Sequence, residues 1–347
     1  MVLRVTQSDC CQTGPLCCSD TANRDIAVAQ TVLAFRDYID GCKMRFGIGR
    51  MDYSVKPGLY AAGKPNKNSP VFVGANYKLS FDVLRKNISG LDSWLLILDT
   101  KGINVWCAAG KGTFGTEELA KCIKDTRLVE IVNHRRLVLP QLGASGVNSN
   151  EVSRRTGFSV VFGPVRARDV KRFIAGGYYA TPKMRTVEFT MLDRLVLIPV
   201  ELVSAAKASL FVFGAMFLIN LFATRQFGVF DFVIFAGAVI TGTVLMPLLL
   251  PVVPGRAFAW KGWLLGLIWS VSALWLFGWL TPNHWLVSFG YLLLLPAISA
   301  YLAMNFTGAS TFASPSGVLR EMQVALPLII SASVAGTILV LISSLTN

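Results

Sequence analysis

The residue whose type and setting most invite chemistry is Cys107, in the stretch INVWCAAGKGTFGT, Ile103–Thr116. A thiol beside a tryptophan and hemmed by alanine and glycine can pack, pair in a redox couple, attack as a nucleophile or ligate a metal. Spacing tests several of these. A cysteine nucleophile needs a histidine base. The chain has two histidines, His134 in NHRRL and His284 beside an apolar run, and neither setting suits that task. No Cys-x-x-Cys pair exists for thioredoxin-like exchange. A Walker loop needs glycine where Val105 stands, and Thr113 falls one place too late. The run GKGTFG (Gly110, Gly112, Gly115) has the residues of a dinucleotide fingerprint. It does not directly follow a strand, and no acidic residue about 20 positions on ends a second one. Zinc needs several ligands, and this loop offers one.

Local rules shape the stretch further. Asn104 is a good helix N-cap and Gly110 a natural stop, so a single helical turn fits between them. Cys107 then stands at the third helical position, near free N–H groups and the positive dipole end, a setting that favours thiolate. Trp106 offers a flat face, and Ala108, Ala109 and Gly110 leave room for something broad. Two readings stand side by side: a thiol packed in a core, or a sulfur ligating a metal at the centre of a planar macrocycle.

The surrounding elements place this turn. Short apolar runs alternate with helical stretches, the α/β signature. PVFVGA (70–75), DSWLLILD (92–99), RLVLPQ (136–141) and FSVVFGP (158–164) read as strands. WLLIL lacks alternation, as a parallel strand buried on both faces should. KLSFDVLRKNI (78–88) reads as a helix with Leu79, Val83 and Leu84 inward; Thr116–Asp125 and Ala167–Ile174 read as further helices. In such folds the loops at the carboxyl ends of strands line the binding crevice. Here they are TKGINVWCAAGKGTFGT, PQLGASGVN and GPVRARD, all rich in small residues.

Charge and hydropathy divide the chain. It has 347 residues, is 53% hydrophobic and carries +13 net charge; its mean hydropathy is +0.53. Residues 1–195 hold 28 basic and 17 acidic side chains, and so +11 of that charge. Beyond Pro199, five apolar runs approach the ~20 residues that cross a bilayer. They are Val203–Ala223, Val229–Leu250, Gly262–Leu280, Trp285–Met304 and Gln323–Leu345. Trp260, Trp263, Trp279 and Trp285 stand near segment ends, as in an aromatic belt. With five crossings, Lys183, Arg185, Arg194, Arg256, Lys261 and Arg320 flank one side and Arg225 the other, which places the polar half in the cytoplasm. No charged row marks a transport path. A basic helix interleaved with aromatics and zinc-finger spacing are both missing, which disfavours nucleic acid. No secretory signal pattern precedes residue 25.

Seven cysteines form no disulfide framework, and a reducing compartment is expected. Cys42 and Cys122 read as structural thiols. CCQTGPLCC, with Cys10, Cys11, Cys17 and Cys18, could hold a soft metal through thiolates, in a terminal segment of a kind often poorly ordered. The expected domains are residues 1–45, an N-terminal segment with the cysteine pairs; 46–190, an α/β domain; and 195–347, a transmembrane domain.

The eight residues NVWCAAGK, Asn104–Lys111, resemble the cap-helix motif of the HgcA family, the membrane-bound corrinoid proteins of mercury methylation. VKPGLYAAGKPNKNSPVFVGANYKLSFDVLR, LDTKGINVWCAAGKGTFGTEEL, HRRLVLPQLGASGV, GFSVVFGPVRARD and NFTGASTFASPSGV are similar to that family too, so the resemblance spans roughly residues 50–325. It implies an α/β Rossmann-like corrinoid-binding domain followed by an all-α transmembrane domain of five helices, in the cell (inner) membrane. It implies a cobalamin-type corrinoid with Cys107 as lower axial cobalt ligand, and methyl transfer from cobalt to Hg(II). A thiolate donates more charge to cobalt than an imidazole, which eases departure of methyl as a carbanion equivalent. By the same resemblance Asn104, Val105, Trp106, Ala108, Ala109, Gly110 and Lys111 shape the corrin contact, with Thr113, Gly115 and Thr116 near its amide side chains. Gln141, Gly143, Ala144 and Gly146 join the candidates from loop position. The family's partners are a ferredoxin-like protein, HgcB, with two [4Fe–4S] clusters, and an upstream methyl donor protein. The related large subunit of the corrinoid iron–sulfur protein has a cluster-binding cysteine domain whose spacing Cys10–Cys18 does not match, so no iron–sulfur cluster is assigned to this chain. The alternative is a membrane corrinoid carrier passing methyl to another acceptor, of the acetyl-CoA pathway type. A third reading, from another class, is a membrane sensor with a redox-active Cys107.

Overall fold

The computed structural model describes residues 26–50, 53–220, 227–309 and 315–346. Cys10, Cys11, Cys17, Cys18 and Arg225 lie outside the described residues, as does the middle of NFTGASTFASPSGV. The chain divides into two compact units, one of residues 1–41 and 51–186, the other of 42–50 and 187–347. The expected boundary at 45/46 therefore shifts, because residues 26–41 contribute a strand and most of a helix to the first unit.

The first unit is built on six strands: β1 (Ala27–Val28), β2 (Gly58–Ala62), β3 (Val71–Ala75), β4 (Ser93–Leu98), β5 (Arg136–Leu139) and β6 (Ser159–Phe162). Their order is β1-β2-β4-β3-β5-β6. β4, β3, β5 and β6 run parallel, while β2 pairs antiparallel with β4. Every residue of β3 and β4 is buried, as sheets covered on both faces require. The helices are α1 (Phe35–Arg45), α2 (Lys78–Asn87), α3 (Val105–Gly110), α4 (Thr116–Asp125), α5 (Leu128–Ile131), α6 (Ser149–Thr156), α7 (Val170–Ala175) and α8 (Pro182–Arg185). Val73, Leu96 and Leu98 share one core with Ala108, Phe114, Leu119 and Val152, so α3, α4 and α6 cover one face. Phe72, Leu95 and Ile97 share the other with Phe81, Ile88, Val170 and Phe173 of the α2 and α7 layer.

The inward face of α2 differs from the expected one. Val83 is exposed, whereas Phe81, Asp82 and Arg85 are buried. The cause is an ion-pair cluster that holds this face. Lys78 bonds Asp37 at 2.8 Å and Asp82 at 2.7 Å, and Arg85 pairs with both carboxylates at 2.8 Å. Arg85 also donates to the Gln30 carbonyl. Burial raises the Asp37 carboxyl, but hydrogen bonds from Lys78 and Arg85 outweigh it and bring it to about 2. A depressed carboxylate stabilises the fold above its unfolded value, about pH 4, and loses that contribution as pH falls through the folded one. Melting followed from neutral pH to about pH 2 should therefore show an acid-sensitive component. Asp37→Asn should flatten it, and an unchanged profile would assign the acid sensitivity elsewhere.

The second unit holds α9 (Met191–Leu195), α10 (Ile198–Asn220), α11 (Val229–Ile240), α12 (Met246–Leu249), α13 (Phe258–Leu276), α14 (Trp285–Asn305) and α15 (Pro315–Thr346). Thr241–Leu245 forms a π-helical stretch between α11 and α12. It stands just ahead of Pro247, whose missing N–H breaks the regular ladder. Among the described residues, four stretches are long and apolar enough to cross a membrane: Met191–Asn220, Val229–Leu249, Pro282–Gly308 and Ser316–Leu345. The remaining run expected at Gly262–Leu280 is a helix, α13, but its four tryptophans and Lys261 weaken its apolar character, and it is not among these four. Lys261 also differs from a loop flank: it is buried in the first turn of α13 and donates to the Leu250 carbonyl at 2.5 Å. Glycines let the helices approach closely, as in membrane bundles. A Cβ on Gly262 or Gly266 would strike Ser299 of α14, and one on Gly336 would strike Gly290. Asp231 caps α11 through the Gly228 N–H and accepts from the Tyr291 hydroxyl, so its charge is engaged structurally.

Candidate functional site

The Cys107 turn forms as its residues dictate. Asn104 is extended and its side chain accepts the Cys107 N–H at 2.9 Å, satisfying one free donor of the turn. α3 ends as Lys111 N donates to the Cys107 carbonyl and Phe114 N returns to the Ala108 carbonyl. Gly112, at φ 79°, turns the chain with the left-handed backbone that glycine tolerates. Trp106, Cys107, Gly110 and Lys111 are exposed, Asn104 and Val105 are half-buried, and Ala108 and Ala109 are buried. The turn therefore presents a thiol and an indole outward and anchors itself through its alanines. A Cβ at Gly110 or Gly112 would meet open space.

The other candidates fall on the supporting side. Gly146 backs directly on Ala109 and the Phe114 carbonyl, and Gly143 on the Phe114 ring. Those two glycines let the Gln141–Gly143 turn close against α3, a packing role that their loop position did not reveal. A Cβ on Gly115 would come 2.8 Å from the Gly112 carbonyl. Thr113 donates to the Ala108 carbonyl at 3.4 Å, and the Thr116 hydroxyl accepts the Asn148 N–H at 2.9 Å, so both engage the protein. Ala144 is half-buried. Gln141 stands apart, because its Oε1 is buried without a hydrogen-bond partner. A buried acceptor without a donor costs free energy unless a ligand supplies one.

Two features escaped the sequence. Asn76, at the carboxyl end of β3, is buried and organises the loop that leads into α3. Its Oδ1 accepts from Thr100 N at 3.0 Å, Thr100 Oγ1 at 2.8 Å and Gly102 N at 3.1 Å. Its Nδ2 donates to Asp99, whose carboxyl the Lys101 ammonium holds below its usual range. A polar residue just past a wholly apolar strand was the available signal. The second feature is an apolar cleft of about 100 Å³ lined by Gly74, Ala75, Val105, Leu139, Pro140 and Val165, among others. It opens at the carboxyl ends of β3, β5 and β6, the edge where α/β folds bind ligands.

Cys122 and His134 are structural in setting, whereas Cys42, expected as a structural thiol, is not buried. Cys122 is buried and donates to the Ile97 carbonyl, and burial pushes its thiol up to about 12. Cys42 is exposed on α1. His134 Nε2 pairs with the Ser69 carbonyl at 2.9 Å. Among the described residues no three His, Cys, Asp or Glu side chains gather to hold a metal ion.

Residues 44–174 match the family model of the CO dehydrogenase/acetyl-CoA synthase delta subunit. The chain is 32% identical over 136 residues to the acetyl-CoA decarbonylase/synthase complex subunit gamma of Archaeoglobus fulgidus, covering 38% of this chain and 28% of that one. It is 32% identical over 134 residues to the same subunit of Methanocaldococcus jannaschii, covering 37% and 26%. It is 32% identical over 121 residues to the corrinoid/iron-sulfur protein large subunit of Moorella thermoacetica, covering 34% and 27%. The matched stretches span about a quarter of each relative's length, and the family match at residues 44–174 lies in the α/β half of this chain.

Proposed function

We propose that the α/β unit binds a corrinoid and carries a methyl group, with the membrane helices as its anchor. The observation that carries this is the exposed Cys107 on a capped turn at the ligand edge of a parallel sheet, within residues 44–174, which match the CO dehydrogenase/acetyl-CoA synthase delta subunit family, in a chain similar to a corrinoid/iron-sulfur protein large subunit. A corrinoid brings four equatorial nitrogens to its own cobalt, so the protein need add only one axial donor. A single thiol, with no ligand cluster beside it among the described residues, fits that requirement, where it would not fit a zinc or iron site. When bound, the corrinoid supplies a cobalt centre that accepts and releases methyl.

In this reading Cys107 sulfur would hold the cobalt, and Asn104 keeps its turn in place. Trp106 and the bare backbone at Gly110 and Gly112 give a flat, unobstructed surface for a wide ring. Gln141 Oε1 would accept an N–H from an amide side chain of the cofactor, and the apolar cleft beside Val105 would take an apolar part of it. Gln141→Met tests the pairing. Removing an unpaired buried acceptor should stabilise the cofactor-free protein by about 1 kcal/mol while weakening cofactor retention. Destabilisation of the cofactor-free form would show that Gln141 is satisfied within the protein.

The comparisons favour a methyl carrier serving an acceptor of the acetyl-CoA pathway type. A second reading, methyl transfer to Hg(II), is favoured by Cys107 itself, since a thiolate donor suits release of methyl as a carbanion equivalent to a soft electrophile. With Hg(II) as acceptor, release of methyl as a carbanion equivalent would leave cobalt two electrons short, so a reductant would be needed in every cycle; transfer of methyl as a cation equivalent would need one only for reactivation. A small ferredoxin-like protein with two [4Fe–4S] clusters is the proposed reductant, its docking helped by the +11 half of the chain. The basic flanks of the apolar runs support a cytoplasmic side for this half. Anaerobic purification with cobalt analysis and a visible spectrum tests the corrinoid reading, which a preparation free of cobalt after reconstitution would sink. Offering the methylated protein Hg(II) or an acetyl-CoA synthase then separates the acceptors by which one gains the methyl.

A further inference from the structure

Helix α1 is built inside out for a helix of a soluble protein. Its buried face carries Asp37, Asp40, Gly41 and Met44, and its outward face carries Phe35, Tyr38, Ile39 and Cys42 at helical i, i+3, i+4, i+7 spacing. Phe35 is 80% exposed. The charged face is satisfied, because Asp37 is clamped by Lys78 and Arg85. The apolar face is bordered by cations: Arg36 and Lys43 on one side, Arg45 on the other, and Lys86, whose ammonium lies 5.6 Å from the Tyr38 ring. The turn that follows continues the pattern with exposed Phe46 and Ile48, the latter 60% exposed.

The same turn abuts the start of a membrane helix. Within the second unit, a Cβ on Gly47 would sit 3.3 Å from Val200 of α10, and Arg50 acts electrostatically on Glu201. Val200 and Glu201 open the apolar stretch Met191–Asn220. An apolar stripe bordered by cations, joined to the first turns of a spanning helix, has the composition and position of a helix seated in the headgroup layer.

We propose that α1 and its following turn, Phe35–Ile48, form an interfacial helix that lies on an anionic lipid surface. Phe35, Tyr38, Ile39, Phe46 and Ile48 enter the headgroup–acyl boundary, and Arg36, Lys43 and Arg45 meet lipid phosphates. The Asp37 clamp then ties the α/β unit to this helix from its dry side.

The test uses the full chain in nanodiscs of phosphatidylethanolamine and phosphatidylglycerol that contain a diazirine-bearing phospholipid, with adducts mapped by mass spectrometry. Adducts are expected on the peptide spanning Phe35–Ile48 as well as on α10 and α15. They should be lost in the double variant Phe35→Ser/Ile39→Ser while labelling of α10 and α15 persists. Nanodiscs of phosphatidylcholine alone should label Phe35–Ile48 less, and Arg36→Gln/Lys43→Gln/Arg45→Gln should erase that lipid dependence. Labelled spanning helices with a bare Phe35–Ile48 peptide would overturn the proposal. So would protein–protein crosslinks from this face to residues 1–25 or to a second copy in place of lipid adducts. Equal labelling in both lipid mixtures would overturn the role of the cations.

Discussion

Cys107→Ala is expected to abolish methyl transfer while leaving the folded, membrane-inserted protein intact. The thiol is exposed and accepts no packing load, and the Asn104 cap bonds the Cys107 backbone N–H, which alanine keeps. Alanine is also the better helix former. Stability should therefore change by no more than about 0.5 kcal/mol. Transfer should fall by more than about 100-fold, since even changes among groups that only support a metal's ligands cost roughly 10–100-fold. Cys107→His separates ligation from a general need for a thiol. Imidazole can occupy the axial position but donates less charge, so cobalt should be retained with shifted visible bands and slower transfer. Wild-type transfer and an unshifted spectrum in both variants would remove Cys107 from the metal and with it the central element of the proposed site.

This expectation was largely legible before the fold was known, because the turn obeys rules that act within six residues. Asn104 as cap, Gly110 at the helix end and Cys107 at the third helical position follow from local chemistry, and the structure forms that turn. The strands Val71–Ala75 and Ser93–Leu98 were equally legible, since full burial writes an unbroken apolar run. What stayed hidden depends on partners far along the chain. β2 reads GLYAA, too small and mixed to announce a strand, and exists because β4 pairs with it. Val83 looked like core by spacing. The face of α2 is set instead by Asp37, more than forty residues earlier, which draws Lys78 and Arg85 inward. α1 presents its apolar side outward, so the usual equation of apolar with buried fails there. The run Gly262–Leu280 rests on apolar length alone; it forms helix α13, which carries four tryptophans and Lys261 and is not among the four candidate spans.

The same distance separates the Cys107 loop from the residue that holds its shape, and Asn76→Ala is the second large expected effect. The loop from β4 to α3 turns through two successive left-handed residues, Lys101 at φ 56° and Gly102 at φ 70°. Such a conformation costs a lysine about 1 kcal/mol and persists only when its surroundings impose it. Asn76 imposes it through one oxygen that accepts three hydrogen bonds. Thr100 N has a second acceptor in the Leu98 carbonyl, and Thr100 Oγ1 has one in Ile103. Gly102 N–H is buried and loses its acceptor outright. One unsatisfied buried donor, together with the lost network, predicts destabilisation of about 2–3 kcal/mol, seen as a lower melting temperature. The functional loss should be larger than the stability loss, because the loop sets where Asn104 begins the α3 turn and hence where Cys107 points. Asn76→Asp keeps the acceptor but brings a second carboxylate against Asp99, so it should retain the loop only at low pH. The strained lysine offers the sharper control. Lys101→Gly removes the left-handed penalty at the cost of an exposed ion pair with Asp99, which is worth little. Added to Asn76→Ala, it should recover about 1 kcal/mol and part of the cofactor binding. No recovery of stability or cofactor binding in the double variant would show that Asn76 acts on the core beneath the loop and not on the backbone path that delivers the thiol.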